Sequence, residues 1–229
     1  MKTRPARTPD PPYYAVIFTS TRTAVRAVNV PTARNLADGR FRIEANDMSA
    51  VQLCRERELP FVGGPTLNVY NQRTLALLCN DGMRRLVLGV EFGEALLAEL
   101  RAGVAAEGGR MPELELIAWG RLPLAYSARC FTARALDVAK DECGFRCIEH
   151  PDGVPLSTRE GRAFLTINGV QVQSAECCDL APELAAIARS GVELLRLYPQ
   201  AQDMDAVVRR WSEALDSGVA PPRAPGCTS

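Results

Sequence analysis

The sequence predicts an α/β fold, an incomplete (β/α) barrel-like (TIM-barrel-like) domain with a cysteine-rich insertion. Three observations predict it. Short apolar runs of strand length alternate with helical stretches from Phe41 onward, the pattern of a parallel sheet or barrel. The alternation stops between residues 120 and 160, where three cysteines and the only histidine fall. The strand–helix units number about six, short of the eight that a closed barrel of about 250 residues contains. At 229 residues, 47% hydrophobic and 24% charged, the composition suits a chain with a sizeable core and excludes a disordered or collagen-like one.

Residues 1–35 carry Pro5, Pro9, Pro11, Pro12 and Pro31 and read as a divergent, poorly ordered arm whose strand-like piece is Tyr14 to Phe18. The barrel-like domain is expected over 36–219. Phe41 to Glu44 reads as a strand, and Asn46-Asp47 caps a helix through Arg57. Pro60 to Val62 is a buried strand ending at Gly63-Gly64, and Asn71 caps a helix to Asn80 that Asp81-Gly82 closes. Arg85 to Val90 gives a strand, Gly93 to Ala106 a helix, and Leu114 to Trp119 another strand. Phe164 to Val172 is a hairpin turned at Asn168-Gly169. A helix over Ala181 to Arg189, a strand over Val192 to Leu197 and a helix over Asp203 to Leu215 follow, and residues 220–229 form an irregular tail.

The 27 basic and 27 acidic side chains cancel, but unevenly. Residues 1–40 hold seven Lys/Arg and two Asp, while 41–229 hold 20 basic and 25 acidic groups. The balance gives no drive toward nucleic acid. No apolar run reaches the roughly 18–20 residues of a membrane span, and no secretory signal opens the chain. The Arg-rich start could mimic an organelle transit peptide, although its prolines oppose an amphipathic helix. A cytoplasmic protein is expected, and in a reducing compartment eight cysteines point to metal or redox chemistry rather than disulfides.

The densest constellation is Cys130, Cys143 and Cys147, spaced C-x12-C-x3-C. Three thiolates suit an iron–sulfur cluster, and with His150 they make a Cys3His set for zinc. Spacing leaves the two open. Arg129, Arg134, Lys140 and Arg146 lie around these thiols and favour the thiolate form. Cys54 and Cys79 read as core residues. The vicinal Cys177 and Cys178 read either as core thiols or as the source of one more ligand. Asn68, Tyr70 and Glu91 follow predicted strands, at the end where a barrel builds its functional face, and are candidates for a substrate pocket. The chain lacks the HExxH, GxSxG and Walker patterns, which disfavours a hydrolase.

The segment LPLAYSARCFTAR from Leu122 to Arg134 resembles the collagenase-like peptidase family. KDEC at Lys140 to Cys143, Cys147 and FLTINGVQVQS at Phe164 to Ser174 continue the match. FRIEANDMSAV from Phe41 and LPFVGGPTLNVYN from Leu59 extend it, so that it runs from about residue 36 to the C-terminus. The resemblance is to the branch that acts in oxygen-independent ubiquinone biosynthesis. It implies a barrel-like subunit with a 4Fe-4S cluster, heterodimeric with a UbiU-like paralogue, in anaerobic hydroxylation of the ubiquinone precursor ring. It implies no protease activity. Cys130, Cys143 and Cys147 fall on three of the cluster ligands, which favours iron–sulfur over zinc.

The family's fourth cysteine lies near the N-terminus, where residues 1–35 contain none. The expectation is a shortened barrel whose cluster has an open site or takes Cys177 or Cys178, and whose strand edges a partner covers. Two rival readings are a zinc-stabilised or metal-free interaction subunit and, behind it, a peptidase-like hydrolase.

Overall fold

A computed structural model of the chain describes the backbone of residues 14–17 and residues 42–229 other than Ala128, Lys140, Asp141 and Gln202. The rest of the N-terminal arm therefore lies outside the described residues, as does Lys140.

Strand β1, Tyr14–Ile17, pairs in parallel with β2, Arg42–Ala45. Helix α1, Met48–Glu56, starts where the Asp47 carboxylate accepts the Ala50 N–H at 2.9 Å, and β3, Phe61–Gly63, follows. Helix α2, Gln72–Asn80, is capped by the Asn71 side chain, which accepts from Thr74 N at 2.9 Å. Next come β4, Met83–Val87, and α3, Glu94–Ala106. Strand β5 spans Glu113–Tyr126, and short helix α4 spans Phe131–Ala135. An antiparallel excursion is made by β6, Val154–Ser157, β7, Ala163–Asn168, and β8, Gln171–Asp179. Helix α5, Leu184–Ser190, leads to β9, Leu194–Leu197. Helix α6, Met204–Ser217, and the two-residue β10, Cys227–Thr228, end the chain.

The sheet order is β1-β2-β3-β4-β5-β8-β7-β6, with β9 also on β5 and β10 on β8. Strands β1 to β5 and β9 form its parallel part. That part is strongly curled. Four strand spacings separate β2 from β9, about 19 Å in a flat sheet, yet Arg196 of β9 places a guanidinium nitrogen 2.6 Å from a Glu44 oxygen on β2. Only a sheet rolled toward a barrel brings these side chains together. This is a mixed α/β fold compatible with an incomplete barrel.

Two apolar layers support the roll. Ile43, Phe61, Met83, Leu86 and Leu114 on the convex side of the parallel strands pack with Val51, Leu75, Leu78, Leu97 and Leu100 of the covering helices. A second cluster joins Ala118 and Trp119 to Val207, Trp211 and Ala214 of α6. Val62, Val87 and Ile117 form a smaller group, with Tyr198 against it.

Most expected elements form within one or two residues of the positions read from sequence. Helix α4 and strand β6 form where no element is expected, β4 ends at Val87 instead of Val90, and three further regions differ. Strand β5 continues to Tyr126 instead of ending at Trp119, because pairing with β8 tolerates Pro123 at a shift in register. Strand β8 runs on to Asp179, since pairing on both edges holds its polar sequence extended. Cys177 and Cys178 thus lie within a strand rather than beyond a hairpin. Residues 227–228 form a strand where an irregular tail is expected. No helix among the described residues is long and apolar enough to cross a membrane.

Gly120 is where β5 leaves β9 and continues along β8. Its φ is +107°, and a Cβ there would sit 2.6 Å from Tyr198 Cβ and 2.8 Å from the Tyr198 carbonyl oxygen. Gly120→Ala is expected to cost about 2–3 kcal/mol, from backbone strain plus overpacking. Urea denaturation should show a lower midpoint with an unchanged slope; an unshifted midpoint would contradict this account of the junction.

Candidate functional site

Period-two alternation in the strands RIEA, ELELI and LLRL directs Glu44, Glu115 and Arg196 away from the helix-covered face. Arg85, from MRRLV, joins them. The Arg196 guanidinium donates to Glu44 at 2.6 Å and to Glu115 at 2.6 Å. Arg85 reaches Glu115 at 3.3 Å and Glu113 at 3.1 Å, so a chain of opposite charges crosses the inner face from β2 to β9. Glu44 and Arg85 are nearly inaccessible, at 2% and 1% exposure. Burial opposes the charge on Arg196, but the carboxylates of Glu44 and Glu115 outweigh it and raise the guanidinium pKa. Glu44, Glu113, Glu115, Arg85 and Arg196 thus stand in mutual ion pairs.

Polar groups at the strand ends extend this network toward the mouth. Asn46 Nδ2 donates to Glu44 at 2.9 Å, and the Thr66 hydroxyl donates to the Asn46 carbonyl at 2.6 Å. Arg196 also donates to the Tyr198 hydroxyl at 3.4 Å. The Tyr126 phenol is pushed up to about 12, first by burial and then by the nearby Tyr198 and Glu44, and it accepts from Gln171 Nε2 at 3.2 Å. The far end of β5 thus turns a phenol toward the charged inner face.

Two of the three sequence candidates for a pocket meet at this end. The Tyr70 hydroxyl donates to Glu91 at 2.8 Å, and the Tyr70 ring stacks on Phe92 with centroids 5.3 Å apart. Burial, the hydrogen bond to Glu91 and the Glu91 charge push the Tyr70 phenol up to about 12. Asn68 is exposed, and with φ 54° it ends a one-turn 3-10 helix over Pro65–Leu67. The structure explains that residue as a turn former.

The cysteine segment lies at the β7–β8 turn, the end of the antiparallel excursion where Tyr126 pairs with Gln171. Cys130 caps α4, its sulfur accepting from Ala133 N at 3.5 Å. The Phe131 N–H bonds to the Gly169 carbonyl at 2.9 Å and the Thr132 hydroxyl accepts from Gly169 N at 3.0 Å, which docks α4 on the β7–β8 turn. Arg129, Cys130, Arg134 and Asp137 line an open cavity of about 400 Å³. Cys143 and Cys147 are also half-buried, Cys147 within a 3-10 turn over Arg146–Glu149. His150 follows in the bend that closes at Gly153.

Three thiols flanked by arginines are the right donors for an iron–sulfur group. Among the described residues no three His, Cys, Asp or Glu side chains stand close enough to hold a metal ion. Nor are Cys177 and Cys178 brought to Cys130. They lie eight and nine residues along the chain from the Gly169 contact, roughly 26–30 Å away at the rise of an extended strand. Cys54 is inaccessible and Cys79 packs against the main core; burial pushes the Cys54 thiol up to about 11 and raises that of Cys79.

The sequence model of peptidase family U32 matches residues 36–224. The chain belongs to peptidase family U32. This is the collagenase-like family that the cysteine segment resembles, and the match covers every described strand of this U32 chain except β1 and β10. No solved structure matches it. The inner-face charges of this U32 protein are not among the residues singled out from sequence. Their signal is present nonetheless, as charges alternating with apolar residues in RIEA and ELELI and a lone Arg in LLRL, where a strand buried on both faces would carry none.

Proposed function

We propose that this U32 protein is an iron–sulfur subunit of the UbiV type, acting with a UbiU-like paralogue in oxygen-independent hydroxylation of the ubiquinone precursor ring. The observation that supports this reading above others is the C-x12-C-x3-C segment at Cys130, Cys143 and Cys147, inside the stretch matched by the family. The three thiols sit half-buried in a region that carries Arg129, Arg134 and Arg146. Such charge lowers the cost of collecting thiolates. A 4Fe-4S cluster, when bound, supplies one-electron chemistry, and a three-thiolate set leaves it an open coordination position.

Chemistry on an aromatic ring also needs a place for the ring. Two aromatic groups lie at strand ends and offer flat faces and hydrogen-bonding tips for that purpose: Tyr126 and Tyr198 beside the Glu44–Arg196 pair, and Tyr70 with Glu91 and Phe92 after β3 and β4. Stacked aromatic surfaces of this kind favour a planar guest. The zinc alternative draws on His150, three residues after Cys147.

Iron and sulfide analysis after anaerobic purification discriminates the two. About four iron and four sulfide per chain are expected, whereas stoichiometric zinc would overturn the iron–sulfur reading. Cys143→Ala should abolish the visible absorbance of the cluster-loaded chain while the far-ultraviolet circular dichroism stays unchanged. An unaltered visible spectrum would remove Cys143 from the ligand set.

A further inference from the structure

We propose that Cys177 and Cys227 form a reversible disulfide that clamps β10 onto β8. The two residues are register partners in the parallel pair, Cys227 opposite Cys177 and Thr228 opposite Cys178. Neighbouring strands lie about 4.8 Å apart, inside the window of about 4.4–6.8 Å that a disulfide spans between Cα atoms. Both side chains pack on the same apolar cluster around Trp119 and Trp211. Cys178, which alternates to the opposite face and is 4% exposed, stands outside that cluster.

The juxtaposition is built rather than incidental, because the segment before Cys227 is anchored independently of sulfur. The buried Asp179 carboxylate accepts from Ala224 N at 2.8 Å and from Arg210 at 2.8 Å. Arg210 donates in turn to the Pro222 carbonyl at 2.6 Å, and Arg223 pairs with Glu183. These contacts deliver Cys227 to Cys177 in the reduced chain, so closure needs little further motion. Burial and then the neighbouring Cys227 thiol push the Cys177 thiol up to about 12.

The oxidant is a low-molecular-weight disulfide. The Cys227 thiolate attacks one of its sulfurs, forming a mixed disulfide and releasing one small thiolate. Cys177 then gives up its proton, attacks Cys227 Sγ and expels the second small thiolate. Two electrons and two protons leave the protein dithiol, and the small disulfide carries them off as two thiols.

The test uses the full chain, reduced, freed of reductant and equilibrated with glutathione disulfide. Alkylation under denaturing conditions and peptide mapping by mass spectrometry should give a cross-linked peptide joining Cys177 to Cys227, about 2 Da lighter than the two free peptides. The oxidised chain should melt about 5–10 °C above the reduced one, as expected for a cross-link closing a long loop. Cys178→Ser should keep both results, and Cys227→Ser should lose both. Cys177 linked to Cys178, both thiols alkylated after equilibration, or an unchanged melting temperature in the cross-linked chain would each overturn the proposal. None of these readouts involves the iron–sulfur reading, and the proposal stands or falls without it.

Discussion

Arg196→Met is expected to lower the unfolding free energy by about 3–5 kcal/mol, the cost of removing one partner from a buried ion pair. The side chain removed bonds two carboxylates at 2.6 Å each, and those carboxylates cannot turn to water: Glu44 and Glu115 are 2% and 7% exposed. Arg85 still compensates Glu115 at 3.3 Å, so the uncompensated charge falls mainly on Glu44. Methionine keeps the length and apolar stem of arginine, which limits the loss from packing alone. Urea unfolding of the variant measures the effect, and a loss below about 1 kcal/mol would show that the pair adds nothing net. A double-mutant cycle with Glu44→Gln isolates the electrostatic part. The double variant should be more stable than the sum of the singles predicts, by up to about 3 kcal/mol, because neutralising Glu44 removes the charge that Arg196 balances.

The position of this network also explains what sequence alone makes visible. Helix starts at Asp47, Asn71 and Asp203 are legible because each cap is a local event, one side-chain oxygen meeting an N–H three residues on. The β7–β8 turn at Asn168-Gly169 is local for the same reason. Strands that depend on distant partners are not. The second half of β5 contains a proline and β8 is largely polar, and each is extended because it lies against the other. The inner-face pairs are less visible still, since Glu44 and Arg196 are 152 positions apart and meet only after the sheet has curled. For the candidate site, the cysteine spacing is plain in the sequence. That Cys177 belongs with Cys227 and not with Cys130 follows from a strand register, which no spacing rule carries.

Asp179→Ala is expected to be comparably damaging, at about 3 kcal/mol, and its effect should depend on pH in a defined direction. Asp179 is inaccessible, and its carboxylate joins three parts of the fold: Ala181 N at 3.1 Å, Arg210 of α6 at 2.8 and 3.2 Å, and Ala224 N at 2.8 Å. Burial raises its pKa, but the donors from Arg210, Ala224 and Ala181 outweigh burial and hold the carboxyl below its ordinary value. A carboxyl depressed on folding contributes stability in full above its unfolded value of about 4 and loses it as pH falls through the folded value. The gap in stability between the native chain and the variant should therefore be widest near neutral pH and narrow steadily in acid. Arg210, with 24% of its side chain exposed, regains water when the carboxylate is removed, which places the loss at the lower end of the range for buried pairs. A gap independent of pH would mean that Asp179 acts through packing and not through its charge. Because the same carboxylate positions Ala224 and, through Arg210, Pro222, the variant should also loosen the segment that carries Cys227, and the Cys177–Cys227 cross-link should then form more slowly than in the native chain.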